Sequence, residues 1–248
     1  MHGLNWFAMM SPFVNAGNVH VITAIFVALL LLLMALIVRR NVVKVEKALV
    51  PSSKVSLTNF FEVLIESLLD LSEGILGADA RKHFPFLATL FVFVFTSNLL
   101  GQIPGFMAPT SNFNTNLAMA LCVFLYYNFM GIKEQGFINY FKHFMGIVPS
   151  GRWYNILAFL PLSLLIFAIE MFGNFLRVGT LSFRLVCNMN VDHMVLGAFS
   201  GLAPLIVPIF FMILGLFVSF VQAFVFTLLT MIYIRLATAH EEGHEAHH

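Results

Sequence analysis

Charged residues are scarce in this sequence. Only 10% of its 248 residues are Asp, Glu, Lys or Arg, whereas 60% are hydrophobic; soluble domains carry about 25% charged residues. A chain with so little charge cannot cover a surface that faces water, so lipid must be its main solvent. The length and the apolar content predict a single membrane domain, 1–248, with five to six spans and no soluble domain attached.

An excess of positive charge and an array of cysteines are also missing. The formal net charge is +1, which provides no overall electrostatic attraction to nucleic acid, and no nucleic-acid partner is expected. Cys122 and Cys187 both lie in apolar segments, so we expect free thiols packed in the core rather than a disulfide. No basic region precedes the first apolar run, so a cleavable signal peptide is not expected.

Apolar runs of bilayer length predict the membrane spans. The first span, 19–38, has about 20 residues, which matches a hydrocarbon core of about 30 Å. It follows an external segment, 1–18, and ends on Arg39 and Arg40, a basic end that the positive-inside rule places in the cytoplasm. Residues 84–131 contain no charge, and a Gly- and Pro-rich stretch in their middle predicts a helical hairpin with its tip outside.

Segment 56–76 differs from the others because acidic residues recur along it at spacings of four, four and three. Such spacings place the acids on one helical face, which predicts an amphipathic helix with a solvated stripe. We expect this helix to lie along the membrane surface. The acidic residues are Glu62, Glu66, Asp70 and Glu73.

Residues 153–236 form the longest region of low charge. A continuous helix over 156–199 would be about 65 Å long, twice the bilayer core, so this region predicts a pair of long, strongly tilted helices. A polar cytoplasmic tail, 237–248, follows them. The fold class predicted from these segments is an all-α integral membrane protein with one amphipathic surface helix.

A few charged side chains interrupt that last apolar region. Each costs about 2.5 to more than 10 kcal/mol in lipid, so each indicates function by default. Glu170, Arg177 and Arg184 recur every seven residues, a spacing that drifts by only about 20° around a helix, so the three share one stripe. Asn188 lies one turn beyond Arg184, and Asn174 lies near the same face. The stripe indicates one wall of an aqueous path or a protein interface.

Two residues of the stripe, Glu170 and Arg177, have a second interpretation. Glu170 and Arg177 could pair with each other simply to reduce the cost of burying both charges. Arg184 has no acid within four residues along the chain, and a guanidinium stays protonated even when buried. The partner of Arg184 is therefore expected from another helix or another chain.

Other polar residues of this region allow two roles each. His193, preceded by Asp192, could relay protons near neutral pH or could be a hydrogen-bonded packing residue. Gln222 lies in an otherwise apolar helix, where an interhelical hydrogen bond is the usual role. The tail sequence HEEGH, 240–244, fits a zinc-protease pattern. It follows the last span, so we interpret it as a chance match and expect no metal site.

Three elements of the sequence occur in the order and spacing of one membrane-protein family. Residues 98–105, NLLGQIPG, are similar to its first hairpin element. Residues 181–189, LSFRLVCNM, preceded by Arg177, are similar to its arginine signature, although Cys187 replaces the usual glycine. Residues 221–233, VQAFVFTLLTMIY, are similar to its last helix. Over nearly its whole length the chain thus resembles subunit a of the membrane sector of F-type ATP synthases.

The resemblance implies a stator subunit that borders a rotating ring of c subunits and is not catalytic by itself. It implies two offset aqueous half-channels, through which protons reach a ring carboxylate from one side of the membrane and leave to the other. Arg184 matches the essential arginine of the family. Positions associated with the proton path or its lining are matched by Glu170, Asn188, His193 and Gln222. Supporting roles are expected for Arg177, Asn174 and Asp192.

The resemblance also implies the surroundings of the chain. The expected partners are the c ring, the peripheral-stalk b subunits, the rest of the ATP synthase and the lipid bilayer, and no cofactor or metal is expected. The translocated ion is expected to be H⁺, while Na⁺ stays open because the ring largely sets the selectivity. We expect a multi-pass protein of the bacterial inner membrane, with the N-terminus outside and the C-terminus in the cytoplasm.

The residues alone leave two other functions open. A stand-alone ion-coupled transporter or channel would account for the same buried charges. A membrane-bound metalloprotease built on the HEEGH tail, 240–244, would use the only metal-binding pattern that we identify in the sequence.

Overall fold

The computed structural model describes residues 19–42, 57–103, 106, 108–136 and 206–238, together with part of the stretch from 164 to 197. In that stretch the described residues are 164–165, 168–169, 172–173, 176–177, 179–187, 190–191, 194–195 and 197. They are helical, and we call 164–197 the arginine segment. The long helices of the other ranges are α1 (Val19–Val42), α2 (Leu57–Leu76), α3 (Ala80–Gln102), α4 (Phe113–Gln135) and α5 (Ile206–Thr238).

Helices α3 and α5 form the centre of the bundle. Each packs along the other, α4 and α2 pack against α5, and α1 contacts α3. Phe220 of α5 meets the rings of Phe91 and Phe95 of α3, with ring centroids 5.9 and 6.0 Å apart. Leu87, Phe91 and Val94 are fully buried. Their spacing of four and three residues forms a continuous stripe on the inner face of α3.

The outer faces of the bundle are apolar as well. Leu29 of α1, Leu125 of α4 and Phe217 of α5 are each about 60% exposed (60%, 64% and 62%), and so much exposed apolar surface is typical of a protein that lipid surrounds. Four described helical stretches are long and apolar enough to cross a membrane: Val19–Ile37, Glu62–Gln102, Phe113–Gln135 and Met212–Thr238. The prediction of an all-α integral membrane protein is confirmed.

Helix α5 is longer than a bilayer core is thick. Its 33 residues correspond to about 50 Å at 1.5 Å per residue, against about 30 Å of hydrocarbon. A helix of this length must tilt or extend beyond the core.

Helix α2 ends in a tight turn that leads directly into α3. Gly77 has a φ of 65°, a left-handed conformation that glycine adopts without the steric cost that a Cβ would add. Arg235 of α5 donates a hydrogen bond from Nη1 to the backbone oxygen of Leu76 at 3.4 Å, so a basic side chain caps the last turn of α2. The acidic residues of α2 are exposed, and the solvated face along the membrane surface stays a prediction; they are Glu62, Glu66, Asp70 and Glu73.

The two cysteines are free thiols, as predicted, but their predicted place in the core is wrong. Cys122 on α4 and Cys187 in the arginine segment are both exposed. Leu121 and Leu125 beside Cys122 are exposed too, at 43% and 64%. On a helix that is apolar all round, apolar neighbours do not distinguish an inner face from a lipid-facing one.

Side-chain hydrogen bonds hold together the hairpin between α3 and α4. Thr110 donates from Oγ1 to Oδ1 of Asn98 at 2.7 Å, and Asn116 donates from Nδ2 to the backbone oxygen of Thr110 at 2.6 Å. All three residues are buried. Asn112 accepts at Oδ1 from the backbone N–H of Asn114 at 2.9 Å and so caps α4. These bonds satisfy polar groups for which lipid offers no partner.

Thr110→Val is expected to destabilise the protein by about 1–3 kcal/mol, because it removes a donor from a buried amide oxygen. The measurement is denaturant unfolding of the purified protein in detergent, followed by circular dichroism. Thr89→Val is the matched control: Thr89 is exposed on α3 and donates to the backbone oxygen of Pro85 in its own helix. Its expected effect is within about 0.5 kcal/mol, and equal losses for the two variants would contradict the prediction.

Candidate functional site

Arg184 lies in the continuous helical run 179–187 of the arginine segment. Leu181, Ser182 and Leu185 are buried at 3%, 0% and 1% exposure, so this face packs against the bundle. Phe183 and Arg184 are exposed. Leu181 and Leu185, four residues apart, share the packed face, and Arg184 is exposed at the edge of that face.

The ring of Phe183 locates this run within the bundle. Its centroid lies 5.2 Å from that of Phe113, the first residue of α4. Phe183 is 60% exposed, so the contact lies at the edge of the bundle. The residue that precedes the exposed Arg184 along the chain is therefore apolar and aromatic, not polar.

Ion pairs in the described ranges lie elsewhere. Arg81 pairs with Glu73 at 3.2 Å, and Lys82 pairs with Glu134. No carboxylate of the described residues is paired with Arg184. The sequence predicted a partner from another helix or another chain, and within the described part of the chain no other helix supplies an acid.

Arg177 is held differently. Its guanidinium carbon lies 5.1 Å from the centroid of the Tyr233 ring on α5, which is cation–π geometry and stabilises a cation in an apolar setting. The ring of Tyr127 on α4 lies 6.0 Å from that of Tyr233. Arg177 is half-buried and contacts the bundle, whereas Arg184 is exposed.

Gln222 lies on the inner face of α5. It is 5% exposed, and Ser219, one turn before it, is 2% exposed. Thr227 and Thr230 are also buried, but their hydroxyls donate to backbone oxygens of their own helix at 2.9 Å. A threonine that bonds its own helix needs no partner from elsewhere. The polar surface that α5 offers to its neighbours therefore concentrates around Ser219 and Gln222.

Several predicted site residues lie outside the described residues. They are Glu170, Asn174, Asn188, Asp192 and His193, as well as the tail 240–248. The predicted pairing of Glu170 with Arg177 is therefore not tested. The described residues contain no group of three or more His, Cys, Asp or Glu that could hold a metal ion.

Tyr233 is a contact of the site that the sequence analysis did not single out. It lies in the element 221–233 that carries the family resemblance, and its hydroxyl-bearing ring is one of few polar-tipped side chains of α5. A polar-tipped aromatic residue on an apolar helix was the signal in the sequence that could have identified Tyr233. The contact with Arg177 joins residues 56 positions apart, which no helical periodicity can predict.

Comparison with known proteins identifies relatives over most of the chain. The family model described as the ATP synthase A chain matches residues 21–235. ATP synthase subunit a of Bdellovibrio bacteriovorus is 43% identical over 203 residues, which are 82% of this chain and 84% of the relative. That of Geotalea uraniireducens is 45% identical over 188 residues, 76% of each chain. That of Campylobacter jejuni is 39% identical over 220 residues, 88% of this chain and 89% of the relative.

The matched residues include all three sequence elements and both arginines of the stripe. The resemblance that those elements carry is thus confirmed by matches that extend well beyond them. The chain belongs to the family of ATP synthase subunit a, the proton-translocating stator subunit of the membrane sector, which is not catalytic by itself.

Proposed function

We propose that this chain forms two offset half-channels that load and unload carboxylates on a ring of c subunits, with Arg184 as the barrier between them. The observation that carries the proposal is the exposure of Arg184 on the outer face of an apolar, helical run. A permanent cation facing lipid would cost several kcal/mol, so its exposure here indicates a partner on another chain. A carboxylate on a neighbouring ring has the required charge.

The barrier follows from simple electrostatics. A guanidinium about 4 Å from a carboxylate stabilises the ionised form by about 4 kcal/mol at an effective dielectric constant of 20. A ring carboxylate that arrives beside Arg184 therefore releases its proton to one half-channel and takes up another only after it has moved on. Because the guanidinium remains charged throughout, a hydrated proton is repelled and cannot leak directly between the half-channels.

Arg177 and Gln222 have supporting parts in this proposal. Arg177, held over the ring of Tyr233, fixes the arginine segment against α5 and so helps to set where Arg184 lies. Gln222, buried on the inner face of α5, lines the path. Five further residues stay proposed path or supporting residues on the strength of the sequence stripe and the resemblance: Glu170, Asn174, Asn188, Asp192 and His193.

The distribution of basic residues supports an orientation. One end of the bundle contains the α2–α3 turn and the last turns of α4 and α5. The basic residues of that end are Arg81, Lys82, Lys133 and Arg235. By the positive-inside rule we propose that this end is cytoplasmic, with the C-terminus in the cytoplasm and the N-terminus outside. The protein is then a multi-pass component of the bacterial inner membrane, with the c ring and the peripheral-stalk b subunits as partners and H⁺ as the coupling ion.

Arg184→Ala is expected to lower ATP-driven proton pumping by roughly 100-fold or more, because the electrostatic stabilisation of the ionised ring carboxylate is lost. The measurement is quenching of an acridine dye in inverted vesicles that contain the assembled complex. Arg81→Ala, at an exposed arginine whose side chain is 80% accessible, is the matched control and should pump within about twofold of wild type. Intact pumping by Arg184→Ala would refute the proposal.

The Tyr233 ring provides a second test. Tyr233→Leu removes the aromatic face under Arg177 and is expected to lower pumping by about threefold to tenfold, whereas Tyr233→Phe keeps the face and most of the activity. Pumping is measured in the same vesicles and normalised to the amount of assembled complex. Equal loss in the two variants would show that the contact with Arg177 is not the cause.

Deletion of residues 240–248 separates this function from a metalloprotease built on the tail. The truncated chain is expected to pump within about twofold of wild type, because no residue that carries the proposed barrier lies in the tail. Loss of pumping with the complex still assembled would oppose this expectation. Proton transport by the purified chain alone, without a ring, would instead favour a stand-alone transporter or channel.

A further inference from the structure

The side chain of Gln102 lies directly over Gly215. Gln102 is the last residue of α3, and Gly215 is buried on α5. A Cβ on residue 215 would lie 2.7 Å from Nε2 of Gln102, and closer still to its Cδ and Oε1. Because carbon and nitrogen atoms that are not bonded cannot approach so closely, the amide occupies the volume that any other side chain at 215 would fill. Glycine at this position is what admits the amide.

This contact lies at the end of the bundle opposite the basic residues. Helices α3 and α5 run antiparallel, since Phe220 meets Phe91 and Phe95, and Arg235 reaches the α2–α3 turn. Gly215 precedes Arg235 by twenty residues, which corresponds to about 30 Å along a helix and to the thickness of a hydrocarbon core. In the proposed orientation, the Gln102 amide therefore lies near the outer face of the membrane.

The amide also extends a row of polar groups along α5. Gly215, Ser219 and Gln222 are spaced by four and three residues, so they share one face, and all three are buried. With Gln102 seated over Gly215, polar atoms occur on three successive turns of an otherwise apolar face. Buried polar groups are costly in a bilayer unless other groups or water satisfy them. A row of this kind can join helices, and it can also line a hydrated path.

We propose that Gln102 is a positioning residue of the outer half-channel, where its amide, held over Gly215, orders the water through which protons enter. This inference rests on the proposed function of the chain. A neutral amide both donates and accepts hydrogen bonds, so it can hold a water molecule in either orientation. It does not ionise, so a passing proton is not trapped on it.

The test measures passive proton conductance of vesicles from which the soluble ATPase sector has been stripped, and ATP-driven pumping by the whole complex. Gln102→Leu removes the amide and is expected to lower the conductance about tenfold, the effect of losing one stabilising hydrogen bond along the path. Gly215→Ala displaces the amide and is expected to have a similar effect. The double variant should show little further loss, because both changes act on one interaction.

Gln135→Leu is the matched control. Gln135 is another half-buried glutamine that contacts α5, donating from Nε2 to the backbone oxygen of Ala237 at 3.0 Å, but it lies at the basic end. The conductance of vesicles with Gln135→Leu should stay within about twofold of wild type, since a glutamine that only joins two helices affects assembly rather than proton entry. The amount of assembled complex is measured for every variant.

Gln102→Glu supplies a readout that a purely structural role would not change. A carboxyl at this place keeps hydrogen-bonding capacity but titrates, so the dependence of conductance on the pH of the outer compartment should change relative to wild type. A pH change in the inner compartment should affect Gln102→Glu and wild type alike. A profile identical to that of wild type, or one that responds equally to both compartments, would overturn the placement of Gln102.

Arg184→Ala in the same vesicles separates the two proposals. If it abolishes pumping while Gln102→Leu and Gly215→Ala conduct like wild type, the inference about Gln102 is overturned and the proposed function stands. If Arg184→Ala pumps normally, the proposed function itself has failed. If Gln102→Leu does not assemble, Gly215→Ala and Gln102→Glu test the inference instead. The inference is overturned if both variants have the conductance and the pH profile of wild type.

Discussion

The guanidinium of Arg184 stays charged at physiological pH, and lipid does not solvate it. On the described chain it is exposed, beside an apolar residue, while the inner face of the same helical run is packed. A charge in that position is stable only where something else provides its counter-charge. The proposed function depends on this constraint, because a cation satisfied within its own chain would have no charge to offer a carboxylate of the proposed ring.

Several polar groups of the described bundle are satisfied internally. Thr227 and Thr230 bond their own helix, the hairpin joins Asn98 to Thr110, and Arg235 caps α2. These contacts follow from the same rule that makes Arg184 unusual, namely that an apolar solvent supplies no hydrogen-bond partners.

The two arginines of the stripe show how one sequence pattern divides into two roles. Arg177 and Arg184 are seven residues apart and share a helical face to within about 20°. Arg177 nevertheless contacts the ring of Tyr233, whereas Arg184 is exposed. The difference in exposure appears only once the segment is packed against the bundle. In the proposed function, anchoring Arg177 on α5 helps to hold Arg184 where a neighbouring chain can approach it.

The sequence alone determined that the chain is helical and lies in a membrane, because its composition leaves lipid as the only solvent for most of its residues. It also distinguished Arg184, since a charge in an apolar run needs no structure to be recognised, and it predicted the solvated stripe of α2 from polar periodicity. Where a helix carries polar residues on one face only, the periodicity shows which face meets water.

Only the tertiary structure decided which faces of the uniformly apolar helices point inward. Cys122 and Cys187 have apolar neighbours and are exposed, because lipid and protein core select the same residue types. The tertiary structure likewise decided that Tyr233 lies under Arg177 and that Gln102 occupies the space over Gly215. The residues of the second contact are more than a hundred positions apart. Such contacts depend on how helices approach one another, and the periodicity of a single helix contains no information about its neighbour.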